Sequence, residues 1–160
     1  MEKELRRRKR QARPRTEPDV PLEREEHLRF AALLRKLGLY FIHVPNEGRR
    51  TAVQGRRLKD LGLVPGVSDF LLFDSPPGAG FVGVAIEMKR LKHSSTSPAQ
   101  IDFLQAVANR GWLACVTKGA DAASEVLVRA GFIEGVRDAK FDSRIKEIKP
   151  MDDKEGSHPR

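Results

Sequence analysis

Val82-Gly83-Val84-Ala85-Ile86-Glu87-Met88-Lys89 is an apolar run that ends in Glu-x-Lys. Its β-branched and small residues predict a strand buried in a sheet. Successive side chains on a strand point to opposite faces, so Glu87 and Lys89 share one face and Met88 takes the other. A carboxylate and an ammonium at the end of a buried strand are costly unless they are paired or bound to a metal. The nearest candidate partner is Asp69, at the head of an earlier apolar run, Phe70-Leu71-Leu72-Phe73. An Asp on one strand and Glu-x-Lys on its neighbour is the arrangement that metal-assisted phosphodiester hydrolysis requires. Read as a surface ion pair, the same three residues would have no chemistry.

Working outward, the loop Asp74-Ser75-Pro76-Pro77-Gly78-Ala79-Gly80 between the two runs predicts an antiparallel hairpin. Pro65-Gly66 predicts a tight turn that delivers Val67-Ser68-Asp69 into the first of these strands. Downstream, Ser97-Pro98-Ala99-Gln100 is a strong helix start, with Ser97 as N-cap, Pro98 in the first turn and Gln100 closing a capping box. That helix is expected to run through Ile101, Leu104 and Val107 and to end near Gly111. A strand over 112–117 and a helix from about Ala120 to Arg129, stopped by Gly131, follow. Strand, helix, strand, helix at this spacing predicts an α/β unit with a parallel pair.

Upstream, Pro21 opens an amphipathic helix to about Leu37, with Gly38 as its stop and Phe30, Leu33, Leu34 and Leu37 as its apolar stripe. Glu26 lies one turn before Phe30 and continues that stripe toward the interior; Glu25 lies on a more exposed face. Leu39 to Val44 reads as a strand. A polar loop from Pro45 carries Arg49, Arg50, Arg56 and Arg57, which suit phosphate contacts or, equally, a solvated surface. Leu58 to Leu61 reads as a short helix. Arg90, Lys92 and His93 follow the Glu-x-Lys strand and extend the basic surface.

At 160 residues and 39% apolar, the chain has room for one domain with a sizeable core. The net charge of +8 is concentrated: residues 1–15 hold eight Lys/Arg against two Glu. Residues 1–20 therefore read as a basic arm, disordered until bound, suited to a polyanion such as nucleic acid or serving only as a solubilising tail. Residues 21–135 read as the folded domain, and 136–160 as a charged, mobile tail. No apolar run is long enough to cross a membrane, and no apolar stretch follows the basic N-terminus as in a secretory signal. The single cysteine, Cys115, excludes an internal disulfide and fits a reducing cytoplasm, and its apolar neighbours mark it as a core thiol.

If the Glu-x-Lys strand carries chemistry, a hard divalent cation is the natural occupant. Mg²⁺ or Mn²⁺ would take a carboxylate oxygen from Asp69, another from Glu87 and the main-chain carbonyl of Met88. Lys89 would then stand beside the attacked phosphate, and Glu26 could hold a second ion or a water. The four histidines, His27, His43, His93 and His158, show no zinc-like spacing with one another or with Cys115. No Gly-Lys-Ser/Thr phosphate loop and no Gly-x-Ser-x-Gly elbow occurs.

Four blocks together carry a resemblance. Pro45-Asn46-Glu47-Gly48-Arg49-Arg50, Gly62-Leu63-Val64-Pro65-Gly66-Val67-Ser68-Asp69, Ile86-Glu87-Met88-Lys89 and Ser97-Pro98-Ala99-Gln100 resemble, in order, the VRR-NUC domain of the PD-(D/E)XK nuclease superfamily. The similarity spans about residues 22–132. It implies a restriction-endonuclease-like α/β core, a mixed β-sheet flanked by α-helices, and Mg²⁺- or Mn²⁺-dependent DNA cleavage. It implies Asp69 and Glu87 as metal ligands, Lys89 as catalytic lysine, Glu26 (or Glu25) as the helical carboxylate and Gln100 as the downstream glutamine. Ser68 departs from the proline that many superfamily members carry before the Asp. Proteins of this size in the family resemble phage or bacterial enzymes, which implies the cytoplasm of a bacterial or phage-infected cell. They also imply a homodimer with two sites, suited to branched DNA such as flaps or four-way junctions. Set against the nuclease are a non-catalytic DNA-binding or repair scaffold, bound through the basic arm, and an RNA-cleaving enzyme with the same site.

Overall fold

The alternation of residues 82–89 builds a two-sided core. In the computed structural model, which describes residues 23–45, 52–78, 80–92, 94–135 and 140–151, Val84, Ile86 and Met88 enter one apolar cluster and Ala85 enters another. The first cluster holds Phe30 and Leu34 of helix α1 (Glu23–Lys36) and Ala123, Val126 and Leu127 of helix α4 (Gly119–Ala130). The second holds Leu104 and Ala108 of helix α3 (Pro98–Ala108). Helices therefore cover both faces of the sheet, as a strand apolar on both sides requires.

The sheet has five strands in the order β1 (Phe41–His43), β2 (Phe70–Leu72), β3 (Val84–Lys89), β4 (Leu113–Lys118) and β5 (Ile145–Ile148). β1 and β2 are antiparallel, and so are β2 and β3, with Phe70 opposite Ile86; this is the predicted hairpin. β3 and β4 are parallel, with Glu87 opposite Val116, as the strand–helix–strand pattern predicts. β5 closes the sheet antiparallel to β4. This mixed sheet, flanked by four helices among the described residues, is the expected restriction-endonuclease-like α/β core. No described helix is long and apolar enough to cross a membrane.

Local signals account for the helix ends. α1 begins with Glu23, Glu25 and Glu26 and finishes with Arg35 and Lys36, so its charges oppose the helix dipole at both ends. α3 starts on the predicted capping box: Ser97 accepts from the Gln100 amide, and the Gln100 side chain accepts from the Ser97 amide. α4 ends at Gly131 in the left-handed conformation.

Two expectations are corrected. Residues 58–61 do not form a separate short helix. Helix α2 spans Ala52–Asp60, so Arg56 and Arg57 lie on it, exposed, rather than in a loop. Its sequence lacks a strong apolar stripe, so periodicity did not mark its start. The region 136–160 was expected to be a mobile tail, yet Ile145–Ile148 is a strand of the sheet. Ile145 packs into the α1/α4 cluster and Ile148 into the α3 cluster, each on a different face. With only two apolar residues, three apart, this strand shows no period-2 pattern. The basic arm, Arg49, Arg50 and residues 152–160 lie outside the described residues.

The turn at Gly66 ties the strand ends to α3. Its φ is +74°, and a Cβ there would lie 2.2 Å from the Ala99 carbonyl oxygen and 2.6 Å from the Gln100 amide nitrogen. The backbone leading to Asp69 thus presses directly on the first turn of α3. Gly66→Ala is expected to destabilise the fold by about 2 kcal/mol or more, from left-handed strain and this collision. An unchanged denaturation midpoint would show that the contact is absent.

Candidate active site

β3 and β4 run parallel, and the helices that follow them, α3 and α4, both begin at the strands' C-terminal ends. Such ends are where open α/β sheets gather functional groups. Glu87 is buried, 1% exposed, on the α3 side of the sheet. Its Oε1 lies 2.7 Å from Lys89 Nζ and accepts a hydrogen bond from the Gln100 amide. Gln100 Oε1 in turn accepts from Lys89 Nζ at 3.0 Å and from the Ser97 backbone N–H at 2.9 Å. Two donors converge on Oε1, which fixes the orientation of the amide: oxygen to Lys89 and Ser97, nitrogen to Glu87. The capping role and the site role expected of Gln100 are therefore held by one side chain.

Asp69 sits at the start of β2, 5% exposed, and its Oδ2 accepts the Met88 backbone N–H at 2.9 Å. Asp69, Glu87, Lys89, Gln100 and the Met88 peptide are thus brought together as expected. Among the described residues, Glu87 Oε2 is buried and has no hydrogen-bond partner. Burial pushes the Glu87 carboxyl up to about 7, the negative charge of Asp69 adds to the rise, and the bond from Lys89 opposes it.

Two carboxylates side by side, with one buried oxygen unpartnered, fit the hard divalent cation that this arrangement implies. Oxygen donors at a buried strand end are what Mg²⁺ or Mn²⁺ takes. Asp69, Glu87 and the Met88 carbonyl are the groups that would hold it.

Glu26 is buried as expected, 4% exposed, while Glu25 is exposed. Its carboxylate is turned toward the start of α4, however. Oε2 accepts the Ala120 N–H at 2.5 Å, and Oε1 lies 3.4 Å from Arg29 Nη1. The residue before α4, Lys118, makes no side-chain cap, so a carboxylate from another helix satisfies that free N–H.

The helical groups that do reach Asp69 are Glu23 and His27. Suitable ligand atoms of Glu23, His27 and Asp69 lie within 4.8 Å of one another. His27 Nε2 is 3.8 Å from Asp69 Oδ2, and its Nδ1 is 3.2 Å from His43 Nε2. These three, with Arg24, Val44 and His43, line a cavity of about 360 Å³. Spacing among the histidines alone does not reveal this group. The available signal was Glu23 and His27 four residues apart, which places them on one helix face. Their approach to Asp69 and His43 depends on how α1 packs on the sheet.

The remaining basic candidates are surface residues. Arg56, Arg57, Arg90 and Lys92 are all exposed. Cys115 is wholly buried, and burial, then the Glu147 carboxylate, pushes its thiol far above the usual range, as befits a core thiol.

The mixed five-stranded sheet flanked by helices is a VRR-NUC-like fold. A solved structure described as a VRR_NUC domain protein superposes with a TM-score of 0.58, covering 78% of this chain and 100% of that one at 19% identity. At that identity the likeness is one of fold. No protein-family model and no curated protein matches the sequence.

The raised Glu87 carboxyl has a stability consequence with a definite sign. The folded protein holds this proton up to about pH 7, whereas an unfolded glutamate releases it near 4.5. Glu87 therefore costs no stability below about pH 4.5 and lowers stability progressively as pH rises from there to 7, by an amount on the order of 3 kcal/mol. In chelator, wild-type Tm is expected to fall between pH 5 and 7.5 relative to Glu87→Gln, measured by thermal melts. Parallel profiles would contradict this electrostatic picture.

Proposed function

We propose that the protein is a metal-dependent nuclease that hydrolyses phosphodiester bonds in DNA. One observation supports it above the others: a buried glutamate, an aspartate across the hairpin, a lysine and a glutamine meet at one strand end, and one glutamate oxygen has no hydrogen-bond partner among the described residues. The VRR-NUC-like fold supports the same reading.

Asp69 and Glu87 would hold a divalent cation, which when bound would supply charge neutralisation at a phosphate and a lower pKa for water. The chain's own groups do the rest. Lys89, 12% exposed at its side chain, reaches past Glu87 toward solvent and can stabilise the extra negative charge of the attacked phosphate or hold the attacking water. Gln100 accepts from the Lys89 ammonium and donates to the Glu87 carboxylate, so both are held in place before a substrate arrives. The Met88 N–H holds Asp69 in place from the strand itself. Arg56, Arg57, Arg90 and Lys92 are exposed and suit backbone phosphates. Arg49 and Arg50 are proposed as further phosphate contacts from the sequence alone. Glu26 retains the proposed role of a second helical carboxylate only if it leaves the Ala120 N–H.

DNA as the substrate, branched structures as its preferred form, and a two-site homodimer belong to this proposal. They rest on the resemblance and on the small size of one domain against a duplex. The scaffold reading, with binding by the basic arm and no hydrolysis, is the outcome opposed to it.

A cleavage panel separates them: single strand, duplex, flap, four-way junction and RNA, each with Mg²⁺, Mn²⁺ or EDTA. EDTA-sensitive cleavage is expected, reduced at least about 10²-fold in Lys89→Ala with DNA binding retained. Wild-type rates in Lys89→Ala would remove the assignment. Absence of cleavage on every substrate, with binding lost when residues 1–17 are removed, would establish the scaffold reading.

A further inference from the structure

The chemistry proposed above leaves three buried polar atoms of the described residues unused, His27 Nε2, Ser68 Oγ and Thr117 Oγ1, and the imidazole nitrogen is the one that can hold a metal. His27 Nε2 is buried without a hydrogen-bond partner among the described residues, and it faces Asp69. We propose that Glu23, His27 and Asp69 form a second cation site, of mixed nitrogen and oxygen donors, that takes Zn²⁺ in preference to Mg²⁺. It shares Asp69 with the hard-ion site proposed above but does not depend on any cleavage activity.

The geometry suits an ion better than a direct contact. At 3.8 Å, His27 Nε2 and Asp69 Oδ2 are too far apart to hydrogen-bond. In a tetrahedral site two donors each about 2.1 Å from one ion stand about 3.4 Å apart, so a shift of roughly half an ångström brings His27 and Asp69 onto one ion. The full set lies within 4.8 Å, wider than donors on one ion stand, so binding requires the partly exposed Glu23 carboxylate to move inward. Glu23 and His27 project from one face of α1, one turn apart.

The imidazole is also held for the purpose. His27 Nδ1 and His43 Nε2 are 3.2 Å apart, so one of the two carries the shared proton. With that proton on His27 Nδ1, the Nε2 lone pair faces Asp69. Metal-binding histidines are commonly oriented in this way, through the nitrogen that does not bind. The Phe70 ring packs edge-on against His27, with centroids 5.4 Å apart, and tilted against His43 at 4.8 Å. Phe70 is fully buried, so it gives both imidazoles a rigid floor.

Donor chemistry sets the choice of ion. Mg²⁺ prefers oxygen ligands in a near-ideal octahedron and gives up its waters reluctantly. Imidazole suits Zn²⁺, which accepts four nitrogen or oxygen donors. The cavity of about 360 Å³ leaves room for a fourth ligand from solvent or substrate. Arg24 and Arg35 also line it, and their charge works against a cation. Two carboxylates at the ion and the nitrogen donor outweigh them, because those groups are in contact range and the guanidiniums lie on exposed side chains.

Calorimetric titration of the full chain with Zn²⁺ alone and with Mg²⁺ alone tests this site. Wild type is expected to bind Zn²⁺ at least about tenfold more tightly than His27→Ala or Glu23→Gln, while Mg²⁺ binding moves less than about threefold in His27→Ala. His27→Gln, melted in chelator, shows whether the fold survives loss of the imidazole, and its Zn²⁺ affinity is expected to fall as well. Zn²⁺ affinity unmoved by His27→Ala would overturn the proposal. So would equal losses of Zn²⁺ and Mg²⁺ affinity, which would make His27 a packing residue. Glu87→Gln is expected to keep Zn²⁺ binding, so absence of cleavage with Mg²⁺ or Mn²⁺, alongside Zn²⁺ binding that needs His27, would remove the nuclease reading and leave this site standing. Intact cleavage with Zn²⁺ affinity insensitive to His27 would do the reverse.

Discussion

The buried carboxylate of Glu87 constrains everything around it. Ionised carboxylates resist removal from water, and this one is 1% exposed with only half of its acceptor capacity used. The chain answers on Oε1 with Lys89 and Gln100, and the Asp69 backbone also favours the charged form. Asp69 makes the cost larger, since it places a second negative charge beside the first. A structure optimised for stability alone would carry an apolar residue here, in line with Ala85 on the same face of the strand. That the sheet instead ends in Asp, Glu and Lys is the observation on which the proposed cation site rests.

The fold positions these groups by short connections rather than by long-range coincidence. Asp69 and Glu87 face each other because β2 and β3 form a hairpin, with Phe70 opposite Ile86. Gln100 reaches Glu87 because it is the third residue of α3 and closes that helix's capping box. Gly66 lets the backbone before Asp69 rest on the same first turn. Stability of the helix start and geometry of the site are thereby one set of contacts. Glu26 shows the opposite case. It is buried on the predicted face of α1, but it serves the start of α4 by accepting the Ala120 N–H.

What was legible in the sequence follows from this division. Alternation along 82–89 placed Glu87 and Lys89 together, and Ser97-Pro98-Ala99-Gln100 announced both the helix and its polar third residue. The hairpin and the parallel pair followed from element order. Contacts that depend on how one helix rotates against the sheet were not legible: Glu23 and His27 reach Asp69, and His27 meets His43, only through the packing of Phe30 and Leu34 on the first cluster. β5 carries no strand signal because its two isoleucines serve opposite faces of the sheet. The first turns of α2 carry few apolar residues to mark where the helix begins.

The central claim is that Asp69 and Glu87 form a cation site, and stability under Mg²⁺ measures it most directly. An ion that binds only the folded state raises Tm in proportion to its concentration over its Kd. Thermal melts of wild type and Glu87→Gln at neutral pH, from chelator to millimolar Mg²⁺, are expected to show a rising Tm in wild type and a much smaller rise in the variant. A wild-type Tm that does not respond to Mg²⁺, or one that rises equally in Glu87→Gln, would contradict the account.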